Sequence, residues 1–190
     1  MAVRFFGGWN FVDGDTERSD MANHGYRSGV PMGGTLGAQQ EQQAPSFLIS
    51  ALKDPTGANL DRLQVIKGWV DANGDTHEKV YNVATSDGRA ISSNLVDAVG
   101  NTVDVDNANY RNSIGDPALA TVWQDPDFTT GQEAFYYVRV LENPVCRWST
   151  WDALRTGVTP RSDLPTTIQE RAWSSPIWYS TQGRDNNFRD

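Results

Sequence analysis

QEAFYYVRVLE, residues Gln132–Glu142, alternates along its length. Ala134, Tyr136, Val138 and Val140 point one way, and Phe135, Tyr137, Arg139 and Leu141 the other. A period of two built from aromatic and β-branched residues marks a strand. Both faces are largely apolar, which places this strand in the middle of a sheet with one side against a second layer. Asn143-Pro144 ends it, because Pro has no N–H to give to a ladder.

Working outward, further strands are predicted on both sides. Leu63–Val70 alternates, with Leu63, Val65, Lys67 and Trp69 on one face. It pairs with His77–Ala84 through a turn over Asp71–Asp75, centred on Asn73-Gly74. Ser46–Leu52 runs into the turn residues Asp54-Pro55-Thr56-Gly57. Val3–Phe6 and Asn101–Val105 are shorter strands, and Leu119–Trp123 fits a strand slightly better than a helical turn. Downstream, Ile168–Tyr179 is a last strand whose Pro176 belongs on an edge or at a bulge. Two short helices are predicted: Thr16–Asn23 with Gly25 as C-cap, and Trp151–Thr156 with Ser149 or Thr150 as N-cap and Gly157 as stop. Gly29–Pro45 has no apolar period and is a long loop.

Together these make an all-β antiparallel β-sandwich of immunoglobulin-like character, with seven to eight strands and one or two short helices. Tyr136 or Tyr137 is available for a tyrosine corner, but no Cys pair or Trp spacing marks a true immunoglobulin domain. Residues 1–45, with the first strand, a helix and the long loop, are part of the same domain as the core at 46–180. The polar tail 181–190 is expected to be disordered.

The 190 residues are enough for one domain that buries roughly 70% of its unfolded surface. A net charge of −8 argues against nucleic acid and anionic membrane surfaces as partners. No apolar run is long enough to span a bilayer, and residues 1–20 lack the basic-then-apolar order of a signal peptide, so the compartment stays open. The single cysteine excludes an internal disulfide.

Few residue patterns point to chemistry. Asp71, Asn73 and Asp75 imitate the start of a calcium loop, but Thr76 and Asn82 stand where Gly and Glu are required, and a hairpin turn explains the same residues. Two histidines, His24 and His77, and one cysteine are too few for a His-rich metal site, and no metal or other cofactor is expected. Cys146 lies at a strand end without a flanking nucleophile signature and is read as a structural thiol. Asp125 and Asp127 flank Pro126; as a pair they suggest acid–base catalysis, but acidic turn residues are the commoner case. Arg147-Trp148-Ser149-Thr150-Trp151 offers two Trp rings for stacking on a sugar, or for closing the core or packing on a partner.

Four stretches taken together carry a family resemblance: VRFFGGWNF at Val3–Phe11 with GVPMGG at Gly29–Gly34, the long motif APSFLISALKDPTGANLDRLQVIKGWVDANGDTHEK at Ala44–Lys79, Ala134–Val140, and ERAWSSPIWY at Glu170–Tyr179. The chain resembles the C-terminal part of the bacterial family called domain of unknown function 3604. The longer proteins of that family resemble the polymerase-and-histidinol-phosphatase group of metal-dependent hydrolases, with histidines in a Gly-Asp-Leu-His-x-His motif. Nothing in these 190 residues matches that motif, so no catalytic residue carries over. The resemblance implies a β-sandwich that follows a hydrolase body.

The first expectation is therefore an accessory sandwich, not catalytic alone, that docks on a hydrolase body or another protein surface. Trp9, Met32, Trp148 and Trp151 are the candidates for that surface, through which the isolated chain would self-associate. The alternatives are a carbohydrate- or ligand-binding module using Trp148 and Trp151 and, more weakly, a hydrolase in its own right using Asp and Glu residues.

Overall fold

The QEAFYYVRVLE segment forms a strand in the middle of a sheet. The computed structural model describes residues 1–38 and 43–181. In chain order the strands are β1 (Ala2–Gly8), β2 (Val30–Pro31), β3 (Thr35–Gly37), β4 (Ser46–Leu52), β5 (Leu60–Val70), β6 (Thr76–Thr85), β7 (Val103–Asp104), β8 (Asn109–Tyr110), β9 (Ala118–Gln124), β10 (Ala134–Glu142), β11 (Val145–Cys146), β12 (Thr167–Ile168), β13 (Arg171–Trp173) and β14 (Ile177–Ser180). The helices are α1 (Met21–Ser28) and α2 (Trp148–Thr156). One sheet has the order β2-β1-β4-β9. The other runs β3-β14-β10-β5-β6, with β13 also paired to β10. Pairing is antiparallel throughout both sheets except between β14 and β3.

The two sheets pack face to face as an all-β sandwich. Phe5, Phe47, Ile49, Ala51 and Leu119 come from the first sheet, and Leu63, Val65, Tyr136, Val138, Val140, Ile177 and Tyr179 from the second. These are the alternate residues of each strand, so one face of every long strand enters the core. Phe47 is the junction: its ring lies 5.4 Å from Phe5 and 4.6 Å from Tyr136 across the layers. Each such fully buried side chain contributes about 1.5–3 kcal/mol relative to exposure.

A helix covers the back of the first sheet. Phe6 and Leu48 point outward from it and are buried with Phe11, with the partly buried Met21 and Val122 packed against them. The helix lies close because residue 25 is Gly: a Cβ there would stand 2.5 Å from the Phe6 ring. This corrects the expectation that Gly25 caps a helix over Thr16–Asn23. A 3-10 turn occupies Asp13–Glu17, and α1 begins only at Met21, runs through Gly25 and ends at Gly29.

Four other expectations change. Gly29–Pro45 is not wholly loop: β2 joins the edge of β1, and β3 lies beside β14. Edge strands tolerate Gly and Pro, so composition hid them; residues 39–42 of that stretch lie outside the described residues. The last strand is three pieces, β12, β13 and β14. It breaks at Ser174–Pro176, where the Val138 amide donates to Ser174 Oγ at 2.9 Å and the Pro176 carbonyl accepts from Gly33 N at 2.8 Å. Helix α2 starts at Trp148 with Arg147 as N-cap, because Thr150 is buried and its hydroxyl donates to the Thr166 carbonyl at 2.7 Å rather than to a helix end. Gly157 ends it with φ +70°, as its position predicts. In the region of Asn101–Val105 only Val103–Asp104 pairs, with β8. Of the polar tail, Thr181 alone is within the described residues.

Tyr136 makes the central strand a direct test of the core. Tyr136→Ala should lower unfolding free energy by about 3–5 kcal/mol, as aromatic truncations do. Tyr136→Phe, which removes only the hydroxyl bonded to Asp125, should cost about 1.5–3 kcal/mol, the range for a hydrogen bond to a charged group. Urea denaturation of both variants measures the two losses.

Candidate functional site

The first candidate is the pair Asp125 and Asp127. Asp125 follows β9 directly and is buried between the sheets. Its Oδ2 accepts from Lys67 Nζ at 2.6 Å and from the Tyr136 hydroxyl at 2.8 Å, and its Oδ1 accepts from the Asp127 amide at 2.9 Å. Lys67 is the inward residue of β5 opposite Tyr136 and is itself buried; it also donates to the Asp127 carbonyl at 2.8 Å. The Asp127 carboxylate pairs with Lys79 and accepts from the Tyr81 hydroxyl at 2.6 Å. Burial, then the Asp127 and Asp125 carboxylates, push the Tyr81 hydroxyl far above its usual range; burial and Asp125 do the same for Tyr136. Both carboxylates are thus engaged by ammonium groups and phenols. The arrangement ties β9 to β5, β6 and β10, and offers no carboxylate poised for proton transfer.

A second arrangement went unseen in the sequence. Asp15, His24 and Ser28 form a chain: His24 Nε2 lies 3.0 Å from Asp15 Oδ1, and His24 Nδ1 lies 3.2 Å from Ser28 Oγ. The order imitates a nucleophile relay. Its place in the helix opposes that chemistry. Ser28 closes α1, where carbonyl groups and the negative end of the dipole face outward, which disfavours an oxyanion there. The His24 and Ser28 contact is an i, i+4 contact on one helix, and Asp15 also accepts from the Val12 amide at 3.0 Å, which closes the 3-10 turn. His24 therefore sits within α1, packed edge-on to Phe11 at 5.7 Å.

The remaining single residues are structural. His77 stacks on Trp69 at 5.3 Å and pairs with Asp71 Oδ2 at 2.9 Å. Asp71 Oδ1 accepts from the amides of Asn73 and Asp75, and Gly74 has φ +88°, so Asp71–Asp75 is the hairpin turn that its residues predict. Cys146 is buried, and burial with the nearby Asp104 raises its thiol above the ordinary range, away from a reactive thiolate. Asp61 is buried and held by Arg89 Nη2 at 2.6 Å and Gln169 Nε2 at 2.7 Å, which pins the loop after β6. Among the described residues no group of three or more His, Cys, Asp or Glu side chains converges as a metal-ligand set, and no helix is long and apolar enough to cross a membrane.

The proposed surface residues fall in two places. Trp9 and Met32 are half-buried and pack against the main core, Trp9 edge-on to Phe128 and Tyr179. Trp148 and Trp151 are exposed on α2, with the Arg155 guanidinium 5.3 Å from the Trp151 ring. The open face of the second sheet carries a further aromatic group that was not singled out: Phe135 and Tyr137 from β10, with Trp178 of β14 at 5.3 Å from Phe135 and Trp173 on β13. The alternation of Gln132–Glu142 did place Phe135 and Tyr137 on one face; what it withheld was that this face stays open.

The model of the family described as "Protein of unknown function (DUF3604)" matches residues 1–181. The chain belongs to the DUF3604 family. No curated protein and no solved structure matches it. The DUF3604 match spans both sheets and both helices, so the whole sandwich is the family's and not a separate graft.

Two outcomes test the ionic centre. Lys67→Ala leaves Asp125 buried without its cation and should cost about 3–5 kcal/mol in urea denaturation. Lys79, with the Tyr81 hydroxyl, holds Asp127 below the usual carboxylate range. A carboxylate depressed in the folded state adds stability that is complete above its unfolded value, about 4, and is lost as pH falls through the lower folded value. The destabilisation by Asp127→Asn should thus be present at about pH 7 and fade toward about pH 2, measured by urea denaturation across that range.

Proposed function

We propose that this DUF3604 chain is an accessory β-sandwich of immunoglobulin-like character, not catalytic by itself, that docks on a metal-dependent hydrolase body. The observation that carries the reading is the outward side of α2. Trp148, Trp151 and Leu154 on the helix and Val158 just beyond it are 69%, 37%, 47% and 64% exposed. The spacing of three residues puts Trp148, Trp151 and Leu154 on neighbouring positions of one side of the helix, whose buried residues are Thr150 and Ala153. A surface helix ordinarily turns its apolar stripe to the core and its polar side to water. Here the apolar stripe faces water, and contiguous exposed apolar surface marks contact with another molecule. Trp is enriched in such contacts. The nature of the partner follows from the family resemblance, whose longer members carry a body similar to the polymerase-and-histidinol-phosphatase hydrolases. A second reading, a ligand-binding module, is supported by the aromatic group of Phe135, Tyr137, Trp173 and Trp178 on the open face of the second sheet. The engagement of Asp125 and Asp127 by Lys67, Lys79 and two Tyr speaks against a hydrolase built on those residues.

The chain mixed with a separately produced hydrolase body from a longer family member should elute as a complex in size-exclusion chromatography. Trp148→Ala with Trp151→Ala should weaken that complex by about tenfold or more, as truncated interface anchors do. Sedimentation of the chain alone should show concentration-dependent self-association that the same double variant abolishes. A failure to form the complex, or a complex indifferent to both Trp residues, would overturn the reading.

A further inference from the structure

A groove opens on the uncovered face of the six-stranded sheet, at the end nearest the Asp71–Asp75 turn. Its floor is a single cross-strand row. Trp178 of β14 pairs with Phe135 of β10, Phe135 with Gly68 of β5, and Gly68 with Glu78 of β6. Residues directly opposite in antiparallel strands share a face, so two aromatic rings, a glycine and a carboxylate lie in line. Gly68 is what shapes the row. A Cβ there would stand 2.2 Å from Phe135 Cζ, so the absence of a side chain lets the Phe135 ring lie down over β5, on the side of Glu78. Trp178 stands beside it, with ring centroids 5.3 Å apart and planes tilted by 53°, and is 49% exposed. The two rings form the inner corner of a groove of about 560 Å³, within the range of small-molecule sites.

The charge of the lining is one-sided. Glu78 and Glu133 are among the lining residues, and no Lys or Arg is. Glu133 is held in place: its Oε1 accepts from the Thr181 amide at 2.9 Å, Thr181 Oγ1 at 3.0 Å and Ser180 Oγ at 3.2 Å. His77, the other titratable residue of the lining, is paired with Asp71 and stacked on Trp69. The field of the Glu78 carboxylate reaches Tyr137 on the same face, where it adds to burial in raising that hydroxyl. Aromatic faces attract cations through their quadrupole, most strongly where carboxylates add to the field and water is partly excluded.

We propose that this groove binds a small organic cation, an alkylated ammonium group seated on Trp178 and Phe135 between Glu78 and Glu133. A sugar would also stack on Trp178 and could give hydroxyl protons to the carboxylates, but its ring oxygen and hydroxyl lone pairs also need donors, and it carries no charge to meet the two carboxylates. The lining offers carboxylate acceptors and π faces, with the Thr76 hydroxyl and the Trp178 indole N–H as side-chain donors, while the His77 ring is engaged by Asp71 and Trp69. An ammonium group asks for acceptors and π faces only. The site is separate from the stripe on α2 and does not depend on docking there.

The test uses the full chain and three probes: choline, its uncharged carbon isostere 3,3-dimethylbutan-1-ol, and cellobiose. Binding is followed by calorimetry and by tryptophan fluorescence. Choline should bind saturably and quench or shift the emission, and the isostere, of the same shape without the charge, should bind roughly tenfold more weakly or not at all. Glu78→Gln and Trp178→Ala should each weaken choline by about fivefold or more without altering the circular dichroism spectrum. Gly68→Ala should do the same by lifting Phe135 from its place. Should Trp178→Ala disturb folding, Glu78→Gln, an exposed change, decides alone. Equal binding of the isostere, preference for cellobiose, no saturable choline binding, or choline binding indifferent to Glu78 would each overturn the proposal.

Discussion

Lys67 and Asp125 lie 2.6 Å apart between the two sheets, both buried. An ammonium group at that depth is tolerable only if a carboxylate meets it and the remaining protons find acceptors. Asp125 supplies the charge and the Asp127 carbonyl a second acceptor, while the Tyr136 hydroxyl fills another place on Asp125. Lys67 belongs to the second sheet and Asp125 to the end of the first, so the pair locks the register of one sheet on the other. Slipping β5 by one residue would carry Lys67 to the outer face and leave Asp125 in the core without a cation. The alternation of Leu63, Val65 and Trp69 around Lys67, and of Ala134, Val138 and Val140 around Tyr136, is consistent with that single register.

From this centre the layers differ in what covers them. The first sheet is closed from behind by α1, brought near by Gly25 over Phe6. Among the described residues the second sheet has no helix over Phe135, Tyr137, Trp173 and Trp178, and α2 packs through Thr150 and Ala153 while its Trp side faces out. Two apolar surfaces are thereby left in contact with water, of different chemistry. The α2 stripe is aliphatic and indole surface with a guanidinium over one ring, suited to a protein neighbour. The groove beside Trp178 is aromatic and flanked by carboxylates, suited to a small cation. Gly68 beside the groove and Gly25 under α1 have the same role, since each lets an aromatic ring lie against backbone where any side chain would collide.

The long strands were legible from the chain, and so was the hairpin turn at Asp71–Asp75, because period-two patterning and turn chemistry are local properties. The central position of Gln132–Glu142 followed from its two apolar faces. Less was legible where tertiary contacts override local preference. Gly25 looked like a helix end because glycine usually is one, yet here it serves close approach inside α1. Pieces β2 and β3 were hidden in a Gly- and Pro-rich stretch because edge strands need only a neighbour's hydrogen bonds, not an apolar period of their own.

For function the division is sharper. Composition and residue types by themselves carried expectations only: few His and Cys argue against a His-rich metal set, and a net charge of −8 argues against a phosphate-binding surface. They also placed Trp148 and Trp151 as surface candidates, and raised Asp125 and Asp127 as a pair. Only the tertiary structure decided that Asp125 and Asp127 are held by Lys67, Lys79, Tyr81 and Tyr136, because the lysines lie 48 to 60 positions away along the chain and are brought to the carboxylates by sheet packing alone. Only it decided that Trp178, Phe135, Gly68 and Glu78 share one row, because cross-strand register joins four strands whose sequences carry no mark of one another.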